Sequence, residues 1–388
     1  MTVRVSVQPV LLRWAIDRAG ISLGSLRGES VKDADLWIAG KKEPTLKQLQ
    51  DFAKKVRVPI GYLFLDKPPV EKIPVPDYRT FDDNRPARLS PDLIDTLHDM
   101  QRRQDWMRDY LIEIGGDKLP FVGSLKGKNH IEAATLIRQD LGLNVGWMLH
   151  CSDLDTARRT LRNTIDISGI LISITGFVGA NTHRILDTSE FFGFTLPDDH
   201  APALFVNNNL AITSQMFTIA HELAHIWMGG GGIFNQSDSD EHDNEDEKLC
   251  NRIAAEFLVP EELFRHKWGK PTKSHLAFWN LAKDFKVSPI VIARRAFALN
   301  LISDDEFFPF WRSEKEKWDR DDRIKPDKKP SGNPYRNYRV KLGKKFSEAI
   351  ISATRSGFLS YSDAFRLTGL HGATFDKYMA QIQGGKLD

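Results

Sequence analysis

The segment FTIAHELAHIWM, residues 217–228, holds the side chains of this chain that are best suited to chemistry. His221 and His225 are four residues apart, so on a helix they lie on one face and can direct ring nitrogens at one ion. Glu222 is rotated from that line and can reach a water on the same ion. The pattern H-E-x-x-H predicts a zinc site, and the alternative is two surface histidines on an ordinary helix.

A third ligand has to come from elsewhere, because catalytic zinc has three protein ligands and a fourth position open for water. The long metzincin pattern would place glycine at 228 and histidine at 231, but the chain has Met228 and Gly231, which excludes that class. A helix is predicted over EDEKLCNRIAAEFLVP, residues 245–260. Glu247 on this helix can bind zinc, and Asn251, one turn later, can hydrogen-bond a histidine ligand.

With these residues the chain resembles the ImmA/IrrE family of zinc peptidases. The resemblance rests on FTIAHELAHIWMG and EKLCNRIAAEFLVP, and on GANTHRILDTSEFFGFTL and APALFVNNN before the metal helix, within residues 165–262. It implies one Zn²⁺ per chain, bound by His221, His225 and Glu247, with Glu222 as general base. The expected reaction is a gluzincin-like hydrolysis of a peptide bond.

Cys250 departs from the family pattern, which usually has a small alanine before its Asn or Asp. A buried cysteine is close to alanine in size, so we expect it to serve packing. The alternative is a thiol that oxidises or binds metal adventitiously, since it lies three residues from Glu247.

Three further polar residues, in the segments before the metal helix, are weaker candidates. His183 and Arg184 of NTHRILD could stabilise the oxyanion that forms when water attacks a carbonyl, or could simply serve loop and strand structure. Asn207 ends the strand-like run PALFVNN and is a possible substrate contact. We expect this run to be a sheet edge on which an extended peptide docks by strand addition.

Residues 238–247 carry a dense acidic run. We expect most of it to be a solvated loop, with a second cation site as the alternative. His242 lies in this run and, in an exposed setting, is not expected to be a zinc ligand. The carboxylates are Asp238, Asp240, Glu241, Asp243, Glu245, Asp246 and Glu247.

The N-terminal residues 1–65 are predicted to form a small helical domain. GKKEPTLKQLQDFAKKVRVPIGYLF resembles the end of an Xre-type, phage-repressor-like helix-turn-helix domain. In the expected recognition segment VKDADLWIAG, however, Asp33 and Asp35 would face the phosphates, which repel carboxylates. DNA binding and a degenerate domain kept for protein contact both remain open.

The whole pattern predicts an α+β fold that is mostly α. A small twisted sheet precedes the metal helix in a central zincin-like domain, flanked by an N-terminal helix-turn-helix-like domain and a small basic C-terminal helical domain. Residues 274–303 are predicted as an αα-hairpin, with a second DNA-reading element as the alternative. The predicted boundaries are 1–65, a linker at 66–91, a helical scaffold at 92–165, the peptidase domain at 166–310, a linker at 311–335, and 336–388.

Composition sets limits on location and partners. The 388 residues are 41% hydrophobic and 27% charged, and no run approaches the ~18 apolar residues of a membrane span. With no signal-peptide pattern and only two cysteines, a cytoplasmic location is expected. Residues 1–70 carry +5 and residues 311–388 carry +7, which suggests contact with a polyanion at the ends or simply solvated lysines.

Two functions fit these patterns. The first is a regulatory zinc endopeptidase that cleaves a repressor-like or other partner protein, typically encoded nearby, in a stress-response, mobile-element or toxin–antitoxin setting. The second is a non-catalytic, zinc-containing antitoxin or transcriptional regulator that binds a toxin or promoter DNA. The presence of Glu222 favours catalysis, because a purely structural zinc site needs no base. A homodimer is possible, and no membrane association is expected.

Overall fold

The computed structural model describes residues 3–26, 28–71, 89–234, 245–269, 275–323 and 334–384. It contains two compact units, one formed by residues 1–74 and 79–98 and the other by residues 75–78 and 99–388. The fold is α+β and mostly helical, which confirms the predicted class. The domain boundaries stay a prediction, and most of the linker at 66–91 and part of the one at 311–335 lie outside the described residues.

The first unit is built on short helices around a small apolar core. Thr45 begins the third helix with a capping box, in which its hydroxyl accepts from the Gln48 backbone N–H and Gln48 accepts from the Thr45 N–H. Leu49 and Phe52 on that helix are fully buried, as the helical spacing predicts. The helices are α1 (Pro9–Arg18), α2 (Ala34–Ile38), α3 (Leu46–Lys55) and the start of α4 (Pro91–Glu113).

The expected recognition segment is short in this unit. Its helix, α2, has five residues, and Asp33 just before it is paired with Lys42 at 2.5 Å. That pairing neutralises one of the two carboxylates that would oppose a phosphate. DNA binding by this unit stays a prediction.

The second unit is a helical scaffold around a four-stranded sheet. Its largest apolar cluster gathers around one long helix, on which Ile219, Leu223 and Ile226 are fully buried. Besides the rest of α4, its helices are α5 (His130–Asp140), α6 (Leu154–Ser168), α7 (Ile212–Met228), α8 (Glu245–Leu258), α9 (Glu261–Trp268), α10 (His275–Phe285), α11 (Pro289–Ala298), α12 (Asp304–Arg323), α13 (Pro334–Leu342), α14 (Lys344–Arg355), α15 (Tyr361–Thr368) and α16 (Gly372–Gln383). In these described residues, no helix is long and apolar enough to cross a membrane.

The sheet has the order β1-β3-β2-β4, with β1 parallel to β3 and the other pairs antiparallel. The expectation that PALFVNN is a sheet edge is therefore wrong, because β3 pairs with β1 on one side and with β2 on the other. Three of the strands precede the metal helix, where the small sheet was predicted, whereas β4 follows that helix and was not predicted. The strands are β1 (Leu171–Thr175), β2 (Gly193–Leu196), β3 (Ala203–Asn207) and β4 (Ile233–Phe234).

Helix α7 is held firmly at its C-terminal end. Gly229 ends it in the left-handed region, with φ +75°, and a Cβ there would lie 3.1 Å from the Gly123 Cα. The loop around Gly123 approaches this closely because Gly123 N–H donates to Ile226 O at 3.2 Å and Leu125 N–H to Trp227 O at 3.1 Å. The last carbonyls of the metal helix are thus satisfied by a neighbouring segment.

Helix α8 has its own support at the C-terminal end. Arg138 donates to Glu256 O at 2.9 Å, and Arg295 donates to Val259 O at 3.1 Å. Arg295 is also ion-paired with the buried Glu256 carboxylate. Two arginines therefore satisfy the terminal carbonyls of α8 and neutralise a buried charge, which fixes the helix that carries Glu247.

The C-terminal helices pack onto the same unit through paired polar groups. Asp166 at the end of α6 accepts from Lys344 N–H at 2.6 Å and so caps α14 from another helix. Lys341 on α13 donates to Gly179 O at 2.6 Å, and Arg103 on α4 donates to Leu367 O at 3.0 Å. Helix α13 packs against β1.

Candidate metal centre

Three side chains of α7 that could take part in chemistry are shielded from solvent. His221 and Glu222 have no exposed surface and His225 has 7%. The helix is anchored beside them, because Trp227 Nε1 donates to Asp140 Oδ2 at 2.8 Å and Phe121 stacks on the Trp227 ring with centroids 4.3 Å apart. A site held in this way keeps its geometry without rearrangement.

Helix α8 brings Glu247 to the two histidines. Its carboxylate oxygens lie 3.1 Å from His221 Nε2 and 3.2 Å from His225 Nε2. The two Nε2 atoms are themselves 3.0 Å apart. One nitrogen from each histidine and one carboxylate therefore converge on a single point, and the ligand atoms of the three lie within 4.8 Å of one another.

The donor set fits zinc. Two imidazole nitrogens and one carboxylate oxygen form one of the three-ligand sets used by catalytic zinc. Although burial acts to raise it, the pKa of Glu247 is held well below its ordinary value by the hydrogen bonds with His221 and His225. Burial lowers the pKa of His221, so that ring favours the neutral form that a metal ligand requires.

Glu222 is fixed by one oxygen and free at the other. Thr195 on β2 donates its hydroxyl to Glu222 Oε2 at 2.6 Å, and both side chains are fully buried. Glu222 Oε1 is buried and has no hydrogen-bond partner in the described residues. Burial raises the pKa of Glu222 to about 8. An unpaired buried carboxylate oxygen costs stability, so its presence indicates a ligand or water at this position.

Gly193 makes room for this oxygen. A Cβ at Gly193 would lie 2.6 Å from Thr218 Cγ2, 2.7 Å from Phe205 O and 3.4 Å from Glu222 Oε1. Any larger residue in this strand would therefore push into the helix and the sheet. The glycine in FFGFTL allows β2 to pass closely over α7.

A second layer of side chains orients the histidines. Asn251 Oδ1 lies 3.1 Å from His221 Nδ1, and Phe234 on β4 stacks on the His221 ring with centroids 3.9 Å apart. Cys250 is fully buried, its thiol donates to Met228 Sδ with the sulfurs 3.3 Å apart, and burial raises the pKa of the thiol. The predicted pairing of Asn251 with a histidine is thus present in the geometry.

The weaker candidates take part in local contacts with neighbouring residues. His183 is exposed, and its backbone N–H donates to Asn181 Oδ1, while Arg184 N–H donates to Asn181 O. Asn207 is buried at the end of β3, where its Oδ1 accepts from Asn209 N–H. A role for these residues in catalysis or substrate binding stays a prediction.

Much of the acidic run lies outside the described residues. This applies to His242 and to Asp238, Asp240, Glu241 and Asp243. Glu245 and Asp246 are exposed in the first turn of α8, and Glu245 pairs with Lys248 at 3.0 Å. A second cation site stays a prediction.

Sequence reasoning missed two residues of the site. Thr195 is a single hydroxyl between Phe194 and Leu196 in an otherwise apolar buried strand, and a lone polar residue in such a strand is a usable signal. Phe234 follows the glycine run that ends α7, and nothing in the sequence indicates that the chain returns to the sheet there.

Comparison with known families supports a metallopeptidase-like role in general. Residues 166–297 match the Peptidase_M78 model, described as the IrrE N-terminal-like domain, and this region contains the whole metal centre. Residues 342–381, which cover most of the C-terminal helices, match a domain of unknown function, DUF8813. Neither match reaches residues 1–65, so the helix-turn-helix resemblance stays a prediction. No curated protein matches the chain.

Proposed function

We propose that this chain is a cytoplasmic, zinc-dependent regulatory endopeptidase that cleaves a partner protein. The observation that carries the proposal is the unpaired Glu222 Oε1, buried beside three converging ligands. A zinc site that only stabilises a fold has no use for a buried carboxylate with a free oxygen. The match to the IrrE N-terminal-like domain supports the same reading.

His221, His225 and Glu247 would hold the zinc. When bound, zinc acts as a Lewis acid that polarises a carbonyl and lowers the pKa of water. With Zn²⁺ bound, the two imidazole ligands and the single Glu247 carboxylate would leave the ligand set and the metal together net positive. The buried surround strengthens the attraction between that positive site and a carbonyl oxygen.

Glu222 would transfer the proton. Because Thr195 holds Oε2 at 2.6 Å, the carboxylate cannot rotate freely, and Oε1 is the atom that accepts a proton from water. The same oxygen then delivers the proton to the leaving amine. Burial raises the pKa of Glu222, which makes it a stronger base than an exposed glutamate.

We propose β4 as the edge on which the substrate docks, in place of β3. In the described part of the chain β4 ends the sheet, and Phe234 on it stacks on the ligand His221. A peptide added beside β4 would be extended and close to the metal ligands. The ImmA/IrrE resemblance suggests a repressor-like protein or toxin-associated partner, encoded nearby, as the substrate.

Metal analysis of the purified chain tests the site. We expect one zinc per chain, lost in Glu247→Ala and retained in Glu245→Ala, which removes an exposed carboxylate two residues away on the same helix. Full zinc in Glu247→Ala would contradict the ligand assignment.

Cleavage tests the activity. The protein encoded by the neighbouring gene is incubated with the wild-type chain and with Glu222→Gln, and products are identified by mass spectrometry. We expect cleavage by the wild type alone. A partner that is bound but left intact by a chain containing one zinc would favour the regulator instead.

A further inference from the structure

Helices α15 and α16 are joined by a tight turn of three residues, 369–371. Gly369 lies in the left-handed region, with φ +72°, and Leu370 is buried. The rings of Phe365 and Phe375, one from each helix, meet edge to face with centroids 5.3 Å apart. Two helices joined by a short turn with a glycine form a helix-turn-helix, whose second helix can enter the major groove of DNA.

Helix α14 fixes the position of α16. The hydroxyls of Ser347 and Tyr378 are hydrogen-bonded at 2.7 Å, and both side chains are buried. Arg355, the last residue of α14, donates to Gln383 Oε1 at 2.5 Å. One face of α16 is therefore held by a third helix, which leaves the opposite face for a partner.

The outer face of α16 carries polar and small side chains. Lys377 suits the acceptors of guanine, Thr374 can pair with several bases, and the methyl group of Ala373 can contact that of thymine. Gln381, which is half-buried, suits adenine. The exposed residues of α16 are Gly372, Ala373, Thr374, Asp376, Lys377, Ala380 and Gln383.

The contacts that anchor the C-terminal helices are made by α13, α14 and α15. They are the bond from Lys341 to Gly179 O, the bond from Lys344 N–H to Asp166, and the bond from Arg103 to Leu367 O. These anchors hold the helices to the scaffold without covering the outer face of α16.

The charge of this region is complementary to DNA. Residues 334–384 contain eight Lys and Arg against three Asp and Glu, a net charge of +5. A surface with a positive balance attracts the phosphate backbone. The exposed basic residues are Arg336, Lys345, Arg355, Arg366 and Lys377.

The other helix pair of this unit has a similar turn but a different second helix. Lys286 has φ +56° in the three-residue turn between α10 and α11. On α11, however, Val291 packs against the main apolar cluster, and Arg295 is ion-paired with the buried Glu256. Helix α11 is thus used for packing, whereas the outer face of α16 is exposed and polar.

We propose that α14, α15 and α16 form a helix-turn-helix that binds duplex DNA, with α16 in the major groove. The partner is DNA because the major groove of B-DNA admits a helix, whereas that of A-form RNA is too narrow for side chains to read. This assigns a function to the region that matches DUF8813. The proposal does not depend on the zinc site, and it concerns a different part of the chain from the N-terminal helices.

The test measures binding of the full-length chain to a fluorescent pool of random-sequence duplexes of about 30 bp, at about 50 mM salt. We expect Lys377→Glu to weaken binding about tenfold or more, because it removes one phosphate or base contact and adds repulsion. Lys283→Glu makes the same charge change at an exposed lysine of α10 and should stay within about twofold of the wild type.

Asp376 provides a test of opposite sign. It is the one acidic residue in residues 372–384, and phosphates repel its carboxylate. Asp376→Asn keeps the size of the side chain and should tighten binding about twofold or more. If Lys377→Glu lowers the melting temperature, the effect of Asp376→Asn decides, and an unchanged affinity in that variant contradicts the proposal.

Four results would overturn the inference. These are no binding of the duplex pool by the wild type, wild-type affinity in Lys377→Glu, an equal loss in Lys283→Glu, and tighter binding of single-stranded RNA than of duplex. Wild-type affinity in Lys377→Glu would assign the DNA to another part of the chain. Zinc content and cleavage by the wild type are measured separately, so failure here leaves the proposed function standing.

Discussion

The metal centre and the contacts of the C-terminal helices both bury charged side chains, but they use them differently. At the C-terminal contacts, Asp166 accepts from α14, Lys341 donates to Gly179 O, and Arg103 donates to Leu367 O. At the metal centre, Glu222 keeps one buried oxygen without a partner in the described residues. The buried charged groups at the C-terminal contacts have protein hydrogen-bond partners, whereas the unpaired Glu222 oxygen lies beside three potential metal ligands, where a water or a substrate could bind to it.

The largest effect is expected for substitution of Glu222, which should lower activity without lowering stability. Glu222→Gln is expected to lower the rate of partner cleavage by about 10²–10⁴-fold, because the amide cannot take up a proton. Its melting temperature should equal or exceed that of the wild type, since the change removes the cost of a buried carboxylate. A large loss of stability would mean that Glu222 is a structural charge like those of the C-terminal contacts.

Asp166 should give the opposite pattern. Asp166→Ala removes the cap of α14 and leaves its backbone N–H groups without an acceptor, so unfolding should become easier by about 3 kcal/mol in chemical denaturation. Zinc content should not change. Asp155→Ala, at an exposed position of α6, is the matched control and should stay within about 0.5 kcal/mol of the wild type.

Lys341 predicts a pH dependence of stability. Burial, followed by the charge of Arg103, lowers its pKa to about 7, whereas the unfolded chain keeps the ordinary value of 10.5. Between these values the unfolded state binds the extra proton, so stability rises with pH from 7 towards 10 by up to about 1.4 kcal/mol per pH unit.

Lys341→Met should remove that rise, which denaturation curves at pH 7.5 and 9 would measure. Lys345→Met changes an exposed lysine nearby and should keep the wild-type dependence. An unchanged slope in Lys341→Met would show that this buried amine is not the group responsible.

The smallest effect concerns Thr195. Thr195→Val keeps the shape of the side chain but removes the hydroxyl that holds Glu222 Oε2, and we expect about tenfold slower cleavage with zinc content unchanged. Thr195→Ser should recover most of the rate. Equal rates for the two variants would leave the hydroxyl without a role in positioning the base.

The pairs of site residues that share a helix could be predicted from the sequence, because the helical repeat alone places them on one face. Spacing by four places His221 and His225 together, and the same rule aligns Glu247 with Asn251 on the next helix. The order of strands could not be predicted, since alternation and turn residues mark a strand without indicating its neighbours. That is why β3 was expected at an edge and β4 was missed.

Contacts between segments that are far apart in the sequence could not be predicted either. Nothing in FFGFTL states that Thr195 reaches Glu222, 27 residues later, because only the folded sheet brings them together.

The packing of α13 against β1 has a consequence for the solubility of the chain. In the described residues β1 is an outer strand, and such a strand presents unpaired N–H and C=O groups that can recruit a strand from another molecule. Removal of residues 334–388 would uncover it. A truncated chain would then be prone to self-association and aggregation. The C-terminal helices would therefore prevent β-pairing between molecules.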